Sequence, residues 1–407
     1  MNDGWPNVAV GRVLRQVRPS VPVRAGVEYP LLGMRWYGEG PFLRETVTAD
    51  SAKARVYFQV RAGDFLYNRL FAWKGSFGVV PERLAGFYVS GEFPVFQTVP
   101  ELALTEYINL VMCRPIVWEQ ILRESTGSTT TSRNRWNESR FLEWEIPLPP
   151  LAEQRRIVDL VAAIDSGIAE SRRSYEATEA ARSALFERFA EKIGAGQTVP
   201  LGGIADVVGG ITKDEKRQQG DGLIEVPYLR VANVQRGYLD LSEMTMIRAE
   251  PALIEKLRLR TGDVLFNEGG DRDKLGRGWV WQGQIADCIH QNHVLRARLK
   301  TADFDPWFVS IWGNGDFGRQ WFELNGSQTT NLASLNLSTL RVFPIPVVPL
   351  AEQRRVVDLW MAFDSVSRRA RDVESATTAL RATLLADLLS GDHEIPSSYD
   401  RFLDGAA

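Results

Sequence analysis

The chain has little of what marks a secreted, metal-binding or catalytic protein. Only two of its 407 residues are cysteines, Cys113 and Cys288, and neither belongs to a C-x-x-C pair. A disulfide framework and a structural zinc site are therefore unsupported. Histidine is nearly as scarce, at three residues, two of them in "HQNH" (His290–His293). That stretch reads as strand, where an i,i+3 pair points to opposite faces, so packing or a polar contact is expected and not a metal. No run approaches 18 apolar residues, which leaves no membrane span. The opening "MNDGWPNVAVGRVLRQV" lacks the basic-then-apolar order of a secretory signal, so a soluble cytoplasmic protein is the expectation. No Gly-Lys-Ser/Thr loop for a nucleotide phosphate occurs. "DEK" (Asp214–Lys216) resembles the end of a metal-dependent nuclease motif, but it lacks the upstream Pro-Asp and reads as a solvated loop.

Excess charge of one sign is missing too. The net charge is −3; residues 1–150 carry +2 and residues 198–346 carry −1. Contact with a polyanion would have to come from local clusters and not from a global basic field. Arginine outnumbers lysine 40 to 8, which suits bidentate hydrogen bonding to bases and phosphates, although codon bias is the plainer reading.

What the chain does have is a repeat. "PLAEQRR" stands at 150–156 and again at 349–355, 199 positions later. The same shift lays "PLAEQRRIVDLVAAIDS" (150–166) on "PLAEQRRVVDLWMAFDS" (349–365), "AGDFLYNR" (62–69) on "TGDVLFNE" (261–268), and "TGSTTT" (126–131) on "NGSQTT" (325–330). Two copies of one unit have kept their frame and changed their content. In each copy, short β-type runs such as "ARVYFQV", "GFYVS" and "GRGWVWQG", punctuated by Gly, Pro and Asn, predict an α+β domain with many short strands.

A long helix follows each domain, at about 150–193 and 349–390. Pro150 and Pro349 suit the first turn, the Glu-Gln that follows favours the positive helix start, and Gly194, Gly196 and Gly391 mark the stops. An apolar seam runs through Ile157, Val161, Ile164, Ile168, Tyr175, Leu185 and Phe189, and through Val356, Trp360, Phe363, Ala370, Val373, Leu380, Leu384 and Leu388. That spacing predicts a coiled-coil pair. Forty residues at ~1.5 Å each give a rod on the order of 60 Å. Antiparallel pairing would bury both seams and hold two globules apart under a pseudo-twofold, as duplex DNA presents two half-sites. The expected division is therefore 1–148 and 198–347 as the two α/β domains, 149–197 and 348–391 as the helices, and 392–407 as an acidic tail.

These motifs are similar to those of the DNA specificity subunits of Type I restriction–modification systems. "IPLPPLAEQRRIVD" (146–159) and "IPVVPLAEQRRVVD" (345–358) resemble the phrase that opens the two conserved long helices of that family. "VPLGGIADVVGGIT" (199–212) and "VPYLRVANVQRG" (226–237) look like the start and middle of a target-recognition domain, and "LRTGDVLFNEGG" (259–270) and "NGSQTTNLASLNLSTLRVFPIPVVP" (325–349) like its later parts. The first domain departs from the pattern at "YPLLGMRWYGEGPFLRETV". The resemblance implies a non-catalytic protein that reads a bipartite sequence in double-stranded DNA and recruits two methyltransferase subunits and motor-nuclease subunits. It implies no directly bound cofactor, with S-adenosylmethionine, ATP and Mg confined to partner subunits. The absence of an Asn-Pro-Pro-aromatic tetrapeptide is compatible with that division. A coiled-coil scaffold binding protein partners without reading DNA is the alternative.

A DNA reader needs Arg, Lys, Asn, Gln and hydroxyl side chains on exposed loops. The candidates in the first domain are Arg35, Tyr37, Arg69, Lys74, Ser128, Thr130 and Arg133. Those in the second are Arg230, Asn233, Arg272, Lys274, Arg277, Gln328, Thr329 and Asn331. The helix starts, Glu153, Gln154, Arg155 and Arg156 with Glu352, Gln353, Arg354 and Arg355, are the candidates for partner binding. Trp279, Trp281, Trp307, Trp312 and Trp321 read as core; Trp36 and Trp73 could equally be core or base-stacking surface.

Overall fold

The computed structural model describes residues 5–125, 134–194, 196–214, 219–270, 274–328, 333–391 and 394–400. The chain forms two compact units, Met1–Glu170 with Val373–Ala407, and Ser171–Asp372. Each holds one α/β domain, the start of the long helix that follows it and the end of the other long helix.

In the first unit a four-stranded antiparallel sheet has the order Leu14–Val17, Val95–Thr98, Phe65–Tyr67, Phe77–Val79. A five-stranded sheet runs Ser20–Pro22, Val56–Gln59, Tyr88–Val89, Tyr29–Met34, Pro41–Val47. The helix Thr105–Met112 buries Tyr107, Ile108, Val111 and Met112. Its core continues through the packed rings of Phe65, Phe77, Phe96, Trp136 and Phe141. The strand Asn7–Ala9 pairs with Glu145–Pro147 and closes the domain next to the helix start.

The second unit repeats the plan. Its four-stranded sheet has the equivalent order Ala205–Val208, Val294–Leu299, Val264–Asn267, Gly278–Val280. Thr198–Pro200 pairs with Pro344–Pro346, placing Val199 opposite Ile345 as Val8 is opposite Ile146. The shared Gly-Asp phrase makes the same turn in both. Gly63 and Gly262 take φ of 80° and 90°, conformations that glycine alone adopts freely. Asp64 and Asp263 each accept a hydrogen bond from the backbone N–H three residues earlier, at 2.8 and 2.7 Å. Gly210 is required for a different reason: a Cβ there would lie 1.8 Å from the His290 carbonyl oxygen. Trp279, Trp281 and Trp312 are buried, and Trp307 and Trp321 pack on the core.

The long helices are Leu151–Gly194 and Leu350–Ser390, and the second ends at Gly391 in the left-handed region, φ 79°. They pack antiparallel. In the first unit Arg381 pairs with Asp165, and Ile157 and Val161 share a core with Leu385, Leu388 and Leu389. In the second, Ser367 donates to Glu179 at 2.6 Å, Arg371 lies over Tyr175, and Phe186, Phe189 and Ile193 meet Val356, Val357 and Trp360. The predicted seam needs correction toward its middle. Val373 and Leu380 are 52% and 58% exposed and Leu185 is 38% exposed; buried Ser367 and its hydrogen bond to Glu179 occupy the contact instead.

Candidate nucleic-acid interface

Three of the predicted contacts in the first unit come together on two adjoining loops. Arg35 follows directly on the strand Tyr29–Met34, with its guanidinium 5.0 Å from the Phe42 ring. Tyr37 has φ 58°, unusual for a side chain of its bulk, and is 63% exposed. The conformation is held by its N–H donating to the Lys74 carbonyl at 2.7 Å and by Gly38 N–H donating to Gly75 at 2.8 Å. Lys74 Nζ in turn sits 3.7 Å from the Trp36 ring and 4.9 Å from Trp73. The result is an exposed aromatic pair with one cation, Lys74, over its Trp36 ring, able to stack on a base or meet phosphate. Trp36, 40% exposed, is thereby part of the cluster.

Arg69 is placed otherwise. Its side chain is 20% exposed and paired with Glu138 of the same domain, and its backbone bridges Glu92 and Trp136. Arg135, which sequence reasoning passed over, makes a bidentate pair with Glu92 on the exposed rim, at 2.8 and 2.9 Å. Ser128, Thr130 and Arg133 lie outside the described residues.

In the second unit Arg230 again follows a long strand, Ile224–Leu229. The Val231 carbonyl beside it accepts from Asn267 at 3.2 Å and from Arg277 at 3.4 Å. Asn233 must be withdrawn as a DNA contact. It is 4% exposed and its amide is saturated, accepting from Arg230 N–H and donating to the carbonyls of Asp240 and Glu243, each at 2.9 Å. Lys274 opens the segment leading to Arg277. The backbone of Gln328 belongs to a short strand paired with Ala333–Ser334; Arg272, Thr329 and Asn331 lie outside the described residues, as does Lys216 of "DEK".

The remaining chemistry is structural. His290 is buried, its Nδ1 2.6 Å from the Val294 carbonyl, and burial pushes its pKa down to about 4. His293 faces Glu268 at 2.8 Å. No group of three or more potential metal ligands occurs among the described residues. Burial pushes both thiols, Cys113 and Cys288, up to about 12, so neither is poised as a nucleophile.

The helix starts divide sharply. Gln154 and Gln353 are fully buried and make the same clamp. Gln154 accepts from Leu104 N–H and donates to the carbonyls of Leu102 and Pro149; Gln353 accepts from Asp305 N–H and donates to those of Asp303 and Val348. Both are corrected from partner contacts to ties between helix and domain. Glu153, 5% exposed, accepts from Ile395 N–H at 2.7 Å, and Arg156 grips Asp400 at 2.6 and 2.7 Å. These two therefore hold the segment after the second helix, a contact no motif announced. Glu352 meets Lys192 at 3.6 Å. Arg155, Arg354 and Arg355 are exposed.

Each unit thus sets one α/β domain of the same plan against antiparallel segments of the two long helices. Residues 33–177 match the family model of the Type I restriction modification DNA specificity domain. The chain is 21% identical over 290 residues to the Type I restriction enzyme EcoKI specificity subunit of Escherichia coli, covering 66% of this chain and 62% of that one. Over 164 residues it is 21% identical to the MjaX specificity subunit of Methanocaldococcus jannaschii, covering 40% and 39%. The matches thus span less than two thirds of these relatives. A solved Type I restriction–modification S subunit from M. genitalium shares the fold with TM-score 0.58 and 15% identity, over 96% of this chain and 97% of that one.

Proposed function

We propose that the chain is the DNA-recognition subunit of a Type I restriction–modification complex, reading a bipartite duplex sequence with one domain per half. The observation that carries this reading is the duplication itself. The two domains keep one sheet order and one helix clamp while their loops after the long strands differ, Arg35-Trp36-Tyr37 in one and Arg230-Val231-Ala232 in the other. A fixed frame with exchanged loop chemistry is what reading two different half-sites requires. The specificity domain over 33–177 supports it.

The chain supplies recognition and placement. Methyltransferase subunits, and restriction subunits where present, would supply the chemistry and hold S-adenosylmethionine, ATP and Mg. Support for such partners lies on the second long helix. Leu359 and Val366 in the second unit, and Val373 and Leu380 in the first, recur every seven residues with 48–58% of their surface exposed. An apolar heptad stripe left in water invites a partner helix. Arg155, Arg354 and Arg355 flank the helix starts as exposed cations.

The test is methylome sequencing of cells expressing the chain with the methyltransferase encoded beside it. A split motif is expected, and exchanging residues 198–347 for those of another specificity subunit should change one half only. Uniform methylation, or none, would refute the reading.

A further inference from the structure

Three positions that match across the repeat carry tryptophan in the second unit and something smaller or charged in the first. Leu66 faces Gly78 across its hairpin as Leu265 faces Trp279. The clamped residues Leu104 and Asp305 each precede a helix, which sets Glu106 where Trp307 stands. The 199-residue shift sets Val161 where Trp360 stands.

In the second unit the three indoles fill their space. Trp279 lies 5.1 Å from Trp307 and 4.9 Å from Trp360, centroid to centroid, and Gly237 backs Trp360 with room for nothing larger than a methyl. The Arg182 guanidinium covers Trp360 at 5.4 Å. In the first unit Pro41 and Gly40 close over Gly78, where an added Cβ would meet Pro41 Cδ at 2.8 Å, while Glu106 and Val161 leave an open cleft of about 350 Å³. Val158 and Ala162 of the long helix and Leu110 of the domain form apolar wall, and the rim carries exposed Glu39 and Glu106 together with one exposed cation, Arg83. Arg381, at the position of Arg182, has no indole to cover there and pairs with Asp165.

We propose that this cleft receives an aromatic side chain, flanked by a basic residue, from the protein partner of the long helices. The second unit has closed the same site with its own tryptophans and makes no such contact. Partner identity rests on the function proposed above, which makes it the methyltransferase subunit. The internal copy shows what the Glu106 and Val161 positions accept: indole rings such as those of Trp307 and Trp360 against the helix, with an arginine over the face of the latter. Two carboxylates, Glu39 and Glu106, against the single Arg83 on the rim favour a cation beside the ring. An aromatic anchor in a desolvated pocket dominates the interface it belongs to. Two copies of the partner therefore bind the two units unequally, by at least tenfold, which corresponds to about 1.4 kcal/mol.

Two measurements on the full chain test this. The first is ligand-observed fluorine NMR with 5-fluoroindole as the probe. Wild type should bind it in the millimolar range, as expected for a fragment of this size. Glu106→Trp, which copies the second unit at an exposed position, should abolish binding, and Glu106→Gln should retain it. Equal binding to wild type and Glu106→Trp, or none to wild type, overturns the proposal. The second is titration with the methyltransferase encoded beside the gene, counting bound copies by mass photometry. Wild type should take two copies with dissociation constants at least tenfold apart, and Glu106→Trp should weaken the tighter one to match the other. Identical titrations for the two chains also overturn the proposal. If wild type recruits no methyltransferase, the functional reading fails by itself, and the fluoroindole arm still decides whether the cleft takes an aromatic ring.

Discussion

The same aspartate solves its burial differently in the two units. Asp263 is 1% exposed and held by Arg298 through two bonds of 2.7 Å. Asp64 is 2% exposed and has no ion pair of that kind, accepting from neutral Gln97 at 3.1 Å besides the turn, with the Arg61 side chain acting only through its charge at a distance. Burial accordingly raises the Asp64 pKa, while Arg298 is raised by its bond to Asp263. A carboxyl whose pKa is higher folded than unfolded adds stability in acid, and that contribution fades as pH rises through the carboxylate range. Asp64→Asn should remove this fall without lowering stability at pH 7, as read by hydrogen exchange of the first unit at pH 4 and 7; an unchanged pH slope would contradict it. Arg298→Gln should cost the second unit about 2 kcal/mol at pH 7, because it leaves a buried carboxylate without its cation. Urea unfolding measures that. His290 works in the opposite sense from Asp64. Its pKa falls on folding from 6.5 to about 4, so its stability is intact above 6.5 and is lost as pH falls toward 4. The loss is about 3 kcal/mol by the linkage between pKa and free energy. A His290→Gln chain should lack that acid-side loss; an equal loss in both would exclude His290 as its source.

At the scale of elements, each long helix is tied to its domain by one glutamine making three buried hydrogen bonds. Gln154→Leu or Gln353→Leu should each cost about 3 kcal/mol, since the partner N–H and carbonyl groups stay buried and unmet. A change under 1 kcal/mol in denaturant unfolding would mean that the clamp is dispensable. On the opposite face, Val373→Glu and Leu380→Glu should leave chain stability nearly unchanged and, on the function proposed above, weaken binding of a methyltransferase subunit; unaltered binding would remove the stripe from that proposed interface. These elements also show what was legible in the sequence. The repeat, the α+β pattern and the helices could be read because Gly-Asp turns and "PLAEQRR" tolerate little change. The face of each helix residue could not, since charged and polar letters look alike whether they meet solvent or a buried carbonyl. Residue type alone therefore points Gln154, Gln353 and Asn233 to surfaces they do not occupy. The coiled-coil spacing likewise overcounted Val373 and Leu380, because a heptad pattern marks an apolar stripe without saying what covers it. The Trp36–Lys74 stacking depends on two loops meeting 38 positions apart, which no local signal records.

At the scale of the whole molecule, the second unit is one continuous stretch, Ser171–Asp372, whereas the first is built from two, Met1–Glu170 and Val373–Ala407. The distant piece is integral: Leu385, Leu388, Leu389 and Ile395 belong to the first unit's core, and Ile395 and Asp400 are held by Glu153 and Arg156. A chain ending at Gly194 should expose that apolar face and self-associate in sedimentation equilibrium; a stable monomer would contradict it. On the ribosome this division reverses the usual order of domain completion. The domain that emerges first must wait, with Ile157 and Val161 uncovered, while more than two hundred further residues are made. The domain translated later has all its parts as soon as residue 372 has cleared the exit tunnel, and finishes first.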